Sequence, residues 1–139
     1  MVNKISENND LVSIILNCFN SEKYIRKSIE SVLTQSYKHW ELIVWDNFST
    51  DNTKKIIKQF NDDRILYFCS QNHLLLGAAR NEALKKSPGK YIAFLDSDDI
   101  WLPNKLDIQV RFIKENPAYK FIYSNYHIIN EKGKRVIKL

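Results

Sequence analysis

The sequence predicts an α/β protein built on a mainly parallel sheet with helices on both faces. Three observations lead there. Short apolar runs recur at residues 11–16 (LVSIIL), 40–45 (WELIVW), 65–69 (ILYFC) and 91–95 (YIAFL). Segments with apolar residues at helical spacing lie between them, and strands that alternate with helices form parallel units with right-handed crossovers. The run at 91–95 shows no polar alternation, the pattern of a parallel strand covered on both faces.

Each element has its own signal. The β-branched run at 11–16 is the first strand. Asn20 or Ser21 offers an N-cap for a helix whose Ile25, Ile29, Val32 and Leu33 share one face, and capping is the role expected of Asn20. Residues 40–45 are the second strand. Ser49, Thr50 and Asp51 offer another cap, followed by Ile56, Ile57 and Phe60 at helical spacing. Residues 65–69 are the third strand. Residues 78–86 favour helix, which Pro88 and Gly89 end. Residues 91–95 are the fourth strand. Pro103 fits the first turn of the next helix, where its missing N–H costs nothing. Leu106, Val110 and Ile113 make that helix's inner stripe, and Pro117 stops it. A fifth strand is expected from residues 121–123, and a turn at 130–133 before a last short strand.

Composition narrows the class. The 139 residues suffice for one domain with a real core, at 44% hydrophobic and 27% charged content. Residues 1–10 are polar and contain no signal-peptide core, so they read as a tail ahead of a domain at 11–139. No apolar stretch is long enough to span a bilayer. Cys18 and Cys69 suggest no disulfide framework and read as reduced thiols of a cytoplasmic protein. The net charge of +5 favours acidic partners, either phosphorylated small molecules or an anionic lipid surface. Nucleic acid ranks low, since no zinc spacing, helix-turn-helix or nucleic-acid-binding aromatic motif is present.

Polar groups fall at three strand ends: Asn17 to Asn20, Asp46 to Ser49, and the acidic turn Asp96-Ser97-Asp98-Asp99. In open α/β sheets ligands bind outside the carboxyl ends of strands, where the strand order reverses. Three neighbouring carboxylates repel, and each disfavours ionisation of the others. A hard divalent cation held by oxygen ligands relieves that repulsion. A solvated turn whose aspartate caps the next helix explains the same residues. Both readings stand on the residues alone.

Four segments in order carry a family resemblance: VSIILNCFN (12–20), SIESVLTQSYKHWELIVWDNFSTDNT (28–53), GAARNEAL (77–84) and YIAFLDSDDIWLPNKL (91–106). The sequence resembles the family 2 glycosyltransferases, which implies their GT-A, Rossmann-like nucleotide-sugar-binding fold. By this resemblance Phe19 stands at the aromatic position of the base pocket, and Asp46 at the carboxylate that recognises the base edge. Arg80 matches the arginine near the nucleotide sugar. Asp96 and Asp98 match the Asp-X-Asp pair that binds ribose and the diphosphate-bound metal, and Asp99 extends the pair. The implied cofactor is Mn²⁺ or Mg²⁺, which stabilises a departing diphosphate. The implied reaction is inverting transfer from a nucleoside-diphosphate sugar, with a UDP-sugar favoured, to a saccharide or lipid-linked acceptor. Such work suits the inner face of a membrane, with peripheral association.

Some positions depart from the family pattern. Asn17 replaces the usual proline, and Asn47-Phe48 replaces the common Asp-Gly. Phe48 is the larger change, because glycine permits φ > 0 and close backbone approach. Nothing after Tyr126 resembles the acceptor subdomain or its general base. His127 and Glu131 are the nearby candidates, and His127 reads as structural. The chain is therefore expected to be an N-terminal half, a short paralogue or a truncation. The competing reading is a non-catalytic nucleotide-sugar-binding module. A nucleotidyltransferase fits less well, because residues 16–24 (LNCFNSEKY) contain no glycine for a phosphate loop. A phosphate-receiver domain fits the ordered segments worse still.

Overall fold

Four strands and four helices follow one another in the order the alternation predicts. A computed structural model describes residues 10–136. The strands are β1 (Val12–Cys18), β2 (Trp40–Asp46), β3 (Ile65–Cys69) and β4 (Tyr91–Asp96). The helices are α1 (Ile25–Leu33), α2 (Thr53–Ile57), α3 (Leu76–Leu84) and α4 (Lys105–Glu115). Every pairing is parallel, and the strand order is β3-β2-β1-β4. The chain divides into two compact units, residues 1–108 and 109–139.

The first unit holds the sheet. β1 and β2 occupy its centre and are buried almost throughout. On one face Ile15, Ile43 and Trp45 pack with Ala79 and Ala83 of α3. Period-2 alternation turns Ile14, Leu16, Leu42 and Val44 to the opposite face, where each is 0% exposed. Right-handed crossovers place α1 and α2 there, and these two helices touch each other. Of the stripe expected on α1, Ile25, Ile29 and Val32 are fully buried and Leu33 is half-buried. Gln35 is buried too, and its amide donates to the Leu102 carbonyl while accepting the Leu106 N–H. That bridge ties the loop after α1 to the start of α4.

Three expectations need correction. β4 is not covered on both faces. In the four-stranded sheet it is an edge, and its residues alternate, with Ile92 at 39% and Phe94 at 50% exposure while Leu95 is buried. An apolar run records that a strand packs somewhere, not how many neighbours it has. Second, no strand forms at residues 121–123; Phe121 and Tyr123 are exposed there. β propensity expresses fit to a pleated, half-buried surface, and these residues join no ladder. Third, Asn20 does not cap α1. The helix begins a turn later, at Ile25, and the Asn20 side chain accepts the Thr50 N–H instead, at 2.8 Å.

In the second unit Phe112 and Tyr119 pack ring to ring at 5.7 Å. The expected turn at 130–133 is present, with Gly133 at φ 74°. It closes a small hairpin through one antiparallel bridge between Ile129 and Arg135. Among the described residues no helix is long and apolar enough to cross a membrane.

Candidate functional site at the carboxyl edge of the sheet

Because all four strands run parallel, their carboxyl ends share one edge. β1 connects to β2 on one side, while its other neighbour β4 is reached only after β3, so the order reverses between β1 and β4. The register pairs Asn17 with Trp45 on one side and Asp96 on the other. The loops that continue β1 and β4 therefore flank the switch point.

The loops after β1, β2 and β4 are stitched together, largely by hydroxyls. Asn20 N–H donates to Ser49 Oγ at 2.9 Å, and Ser21 N–H to Thr53 Oγ1 at 2.8 Å. Glu22 bridges the same seam, its N–H donating to the Asp51 carboxylate while its own carboxylate accepts the Asn52 N–H. Ser21 and Ser97 pair through their hydroxyls at 2.9 Å. The buried Ser28 hydroxyl lies 2.8 Å from the Ser97 carbonyl and 2.7 Å from that of Asp99. The acidic turn is thus anchored to α1 from beneath, and Asp99 N–H closes it on the Asp96 carbonyl at 3.0 Å.

The structure brings Arg80 and Asp96 together. The guanidinium meets the carboxylate at 2.8 Å, with side chains 36% and 60% exposed, and lies over the Phe94 ring at 5.7 Å. Asp98 and Asp99 are exposed on the same turn. Burial, then the charges of Asp98 and Asp96, push the Asp99 carboxyl above its ordinary value. Among the described residues no three acidic, cysteine or histidine side chains converge on one metal position. Mg²⁺-type sites commonly use one or two carboxylates and take their other ligands from substrate phosphates and water. The exposed oxygens of Asp96 and Asp98 fit that pattern.

Asp46 is placed differently from an open recognition group. It is 1% exposed. Its Oδ1 accepts the Ser49 N–H at 2.8 Å, and its Oδ2 accepts the Tyr67 hydroxyl at 2.7 Å. Tyr67 could be found from the register: Asp46 pairs with Cys69, so a residue two earlier on β3 shares its face. Burial, then the bond to Asp46, push the Tyr67 phenol above its ordinary range. Burial and the Asp46 charge do the same to the Cys18 thiol, so that thiol stays protonated and unreactive.

Phe19 and Phe48 stand exposed at 46% and 47% on neighbouring loops. Phe48 takes φ 72° and Asn20 φ 47°. The backbone thus keeps the left-handed turn that a glycine adopts freely, at a cost of about 1–2 kcal/mol for a residue with a Cβ. Asn47, already placed at this strand end by the sequence, completes the edge with His73 and Ser28, two residues the sequence did not single out. His127 is exposed in the second unit.

The profile of the family described as "Glycosyl transferase family 2" matches residues 13–138. Among curated relatives, the Escherichia coli UDP-Glc:alpha-D-GlcNAc-diphosphoundecaprenol beta-1,3-glucosyltransferase WfgD is 48% identical over 123 residues, which are 88% of this chain and 48% of the relative. The Bacillus subtilis putative teichuronic acid biosynthesis glycosyltransferase TuaG is 39% identical over 125 residues, 88% of this chain and 49% of the relative. Among solved structures, S. aureus TarS 1–349 in complex with UDP-GlcNAc is similar at TM-score 0.73 and 32% identity, over 76% of this chain and 32% of that one. The chain spans about half the length of these curated relatives.

Proposed function

The chain belongs to glycosyl transferase family 2, and from that footing we propose that the carboxyl edge of its sheet binds a nucleoside-diphosphate sugar, with a UDP-sugar as donor. One observation carries the proposal: Arg80 and Asp96 meet at 2.8 Å beside the exposed carboxylates of Asp98 and Asp99, at the point where strand order reverses. The names of the similar proteins support the choice of donor, since WfgD is named for UDP-glucose and TarS is titled with UDP-GlcNAc.

In this reading residues 11–139 are the donor-binding domain and residues 1–10 a tail. Asp96 and Asp98 hold a Mn²⁺ or Mg²⁺ ion together with the diphosphate, and Asp99 adds charge nearby. When bound, the ion stabilises the negative charge that develops on the leaving diphosphate. Arg80 leaves its pairing with Asp96 and donates to diphosphate oxygens, for which its planar fork is suited. Phe19 supplies an aromatic face to the base. Asp46 orders the base side of the pocket by holding the Ser49 N–H and the Tyr67 hydroxyl. The acceptor is a saccharide or a lipid-linked sugar, in line with the diphosphoundecaprenol acceptor in WfgD's name, and transfer is inverting. The protein works in the cytoplasm at the inner membrane face, associating with it peripherally.

Chemical-shift mapping tests the site. UDP added with Mg²⁺ is expected to move the amides of residues 17–21, 46–49 and 96–99. Shifts confined to other elements would refute the assignment.

A further inference from the structure

One polar side chain at the switch point has no partner among the described residues: Asn17. Its Nδ2 and its Oδ1 are both buried and unbonded. Paired residues of neighbouring parallel strands share a face, so the register sets a row across the sheet: Asp96, Asn17, Trp45 and Phe68. Trp45, 8% exposed, carries a second buried orphan, its Nε1. The row lies on the face that α3 covers, where Trp45 packs with Ala79 and Ala83. Arg80 follows Ala79 on α3 and reaches Asp96 on β4. Its side chain therefore crosses the end of β1, where Asn17 stands. A buried amide without a partner costs the folded chain stability, and an apolar side chain of the same size does not. What the amide offers instead is a donor next to Asp96. In the free protein that carboxylate is held by Arg80, whose guanidinium donates to its Oδ1 at 2.8 Å.

We infer that Asn17 is a positioning residue for Asp96, taking over the carboxylate when Arg80 turns to the diphosphate. This rests on the donor reading above. The departure of Arg80 leaves Asp96 without the bond that fixed it. Asn17 Nδ2 then donates to the carboxylate, and its Oδ1 turns to the Trp45 side, where the indole N–H is the donor that the row supplies. One rotation of the amide thus satisfies the three orphaned atoms of the row. A group that holds a metal ligand in place acts on metal affinity through that ligand. The proline usual at this position in the family has no side-chain donor, so the contact belongs to the departure that Asn17 represents.

Chemical-shift titration with UDP and Mg²⁺ follows weak as well as tight binding. It is run on wild type, Asn17→Leu, Asp96→Ala and the double variant, with urea unfolding of each free protein. Leucine is close to asparagine in size and needs no hydrogen bond. We expect Asn17→Leu to unfold at the wild-type midpoint or above it, because no bond is lost in the free chain. The same variant binds UDP with Mg²⁺ about tenfold more weakly, the lower range for removal of a group that holds a metal ligand. In the Asp96→Ala background the Asn17→Leu change alters affinity by less than about twofold, because no carboxylate remains to be held. Wild-type affinity in Asn17→Leu, a lowered urea midpoint, or the same loss in both backgrounds would overturn the positioning role. A wild type that binds UDP equally with Mg²⁺ and with chelator would overturn the donor reading itself, and the inference with it.

Discussion

Tyr67→Phe removes one oxygen and leaves the Asp46 carboxylate, 1% exposed, with the Ser49 N–H as its remaining partner. A hydrogen bond to a charged group contributes about 1.5–3 kcal/mol, and the loss falls on the partner that stays buried. With one donor retained, we expect about 2 kcal/mol, near the middle of that range. For a chain of this length such a loss lowers Tm by roughly 6–10 °C. Urea unfolding at pH 7, followed by circular dichroism, reads it as a lower midpoint at unchanged slope. The phenol supplies a second signature. Its folded-state value lies above the ordinary 10.0, from burial first and the Asp46 bond second. Above that ordinary value the unfolded chain gives up the proton while the folded one keeps it, so wild-type stability falls as pH rises past about 10. Tyr67→Phe lacks this slope. A loss under about 0.5 kcal/mol at pH 7 would refute the view that Asp46 depends on Tyr67.

Three other perturbations separate binding from folding. Arg80→Ala breaks an exposed ion pair and is expected to change stability by under about 1 kcal/mol. The same variant weakens UDP at least about tenfold, by loss of a charged hydrogen bond; a calorimetric affinity equal to wild type would remove Arg80 from the site. Gly89→Ala places a Cβ 2.6 Å from Ser13 Oγ, 2.7 Å from its backbone nitrogen and 2.8 Å from the Leu11 carbonyl, where only backbone movement makes room. Thermal unfolding should show a loss of about 1–3 kcal/mol, and a neutral result would contradict the close approach. Slight burial raises the Asp51 carboxyl, but the Thr53 hydroxyl and the N–H groups of Thr53 and Glu22 outweigh it and hold it below its ordinary value. That stability is complete above about pH 4 and is lost as pH falls through the depressed value. Urea midpoints between pH 5 and 2 should therefore drop less steeply for Asp51→Asn than for wild type.

The sheet was legible because its evidence is local. Short apolar runs mark β1 to β3, and helical spacing marks α1 and α4. The acidic turn stood out by residue type and Arg80 by the family resemblance, and the fold brings Arg80 onto Asp96. What escaped depends on neighbours distant in sequence. The exposure of Ile92 and Phe94 depends on what packs over that face of β4, a property of the fold that no apolar run encodes. Residues 121–123 carry strand propensity and join no ladder. Asn20 has the chemistry of a cap, and φ 47° turns its side chain to Thr50 instead of α1. The enclosure of Asp46 requires Tyr67, 21 residues on, and only the register reveals that they share a face. Phe48 was expected to disturb a glycine turn; it adopts the turn at φ 72°.

The central claim is that the carboxyl edge receives a nucleoside diphosphate through a metal held by Asp96 and Asp98. Calorimetric titration of UDP-glucose in Mn²⁺, and again with the metal chelated, tests it most directly. The account predicts measurable binding with the metal and a loss of at least about tenfold without it, because the diphosphate then meets three carboxylates with Arg80 as the cation beside them. Asp98→Asn should show the same loss in the presence of Mn²⁺. Equal affinities with and without the metal would contradict the account.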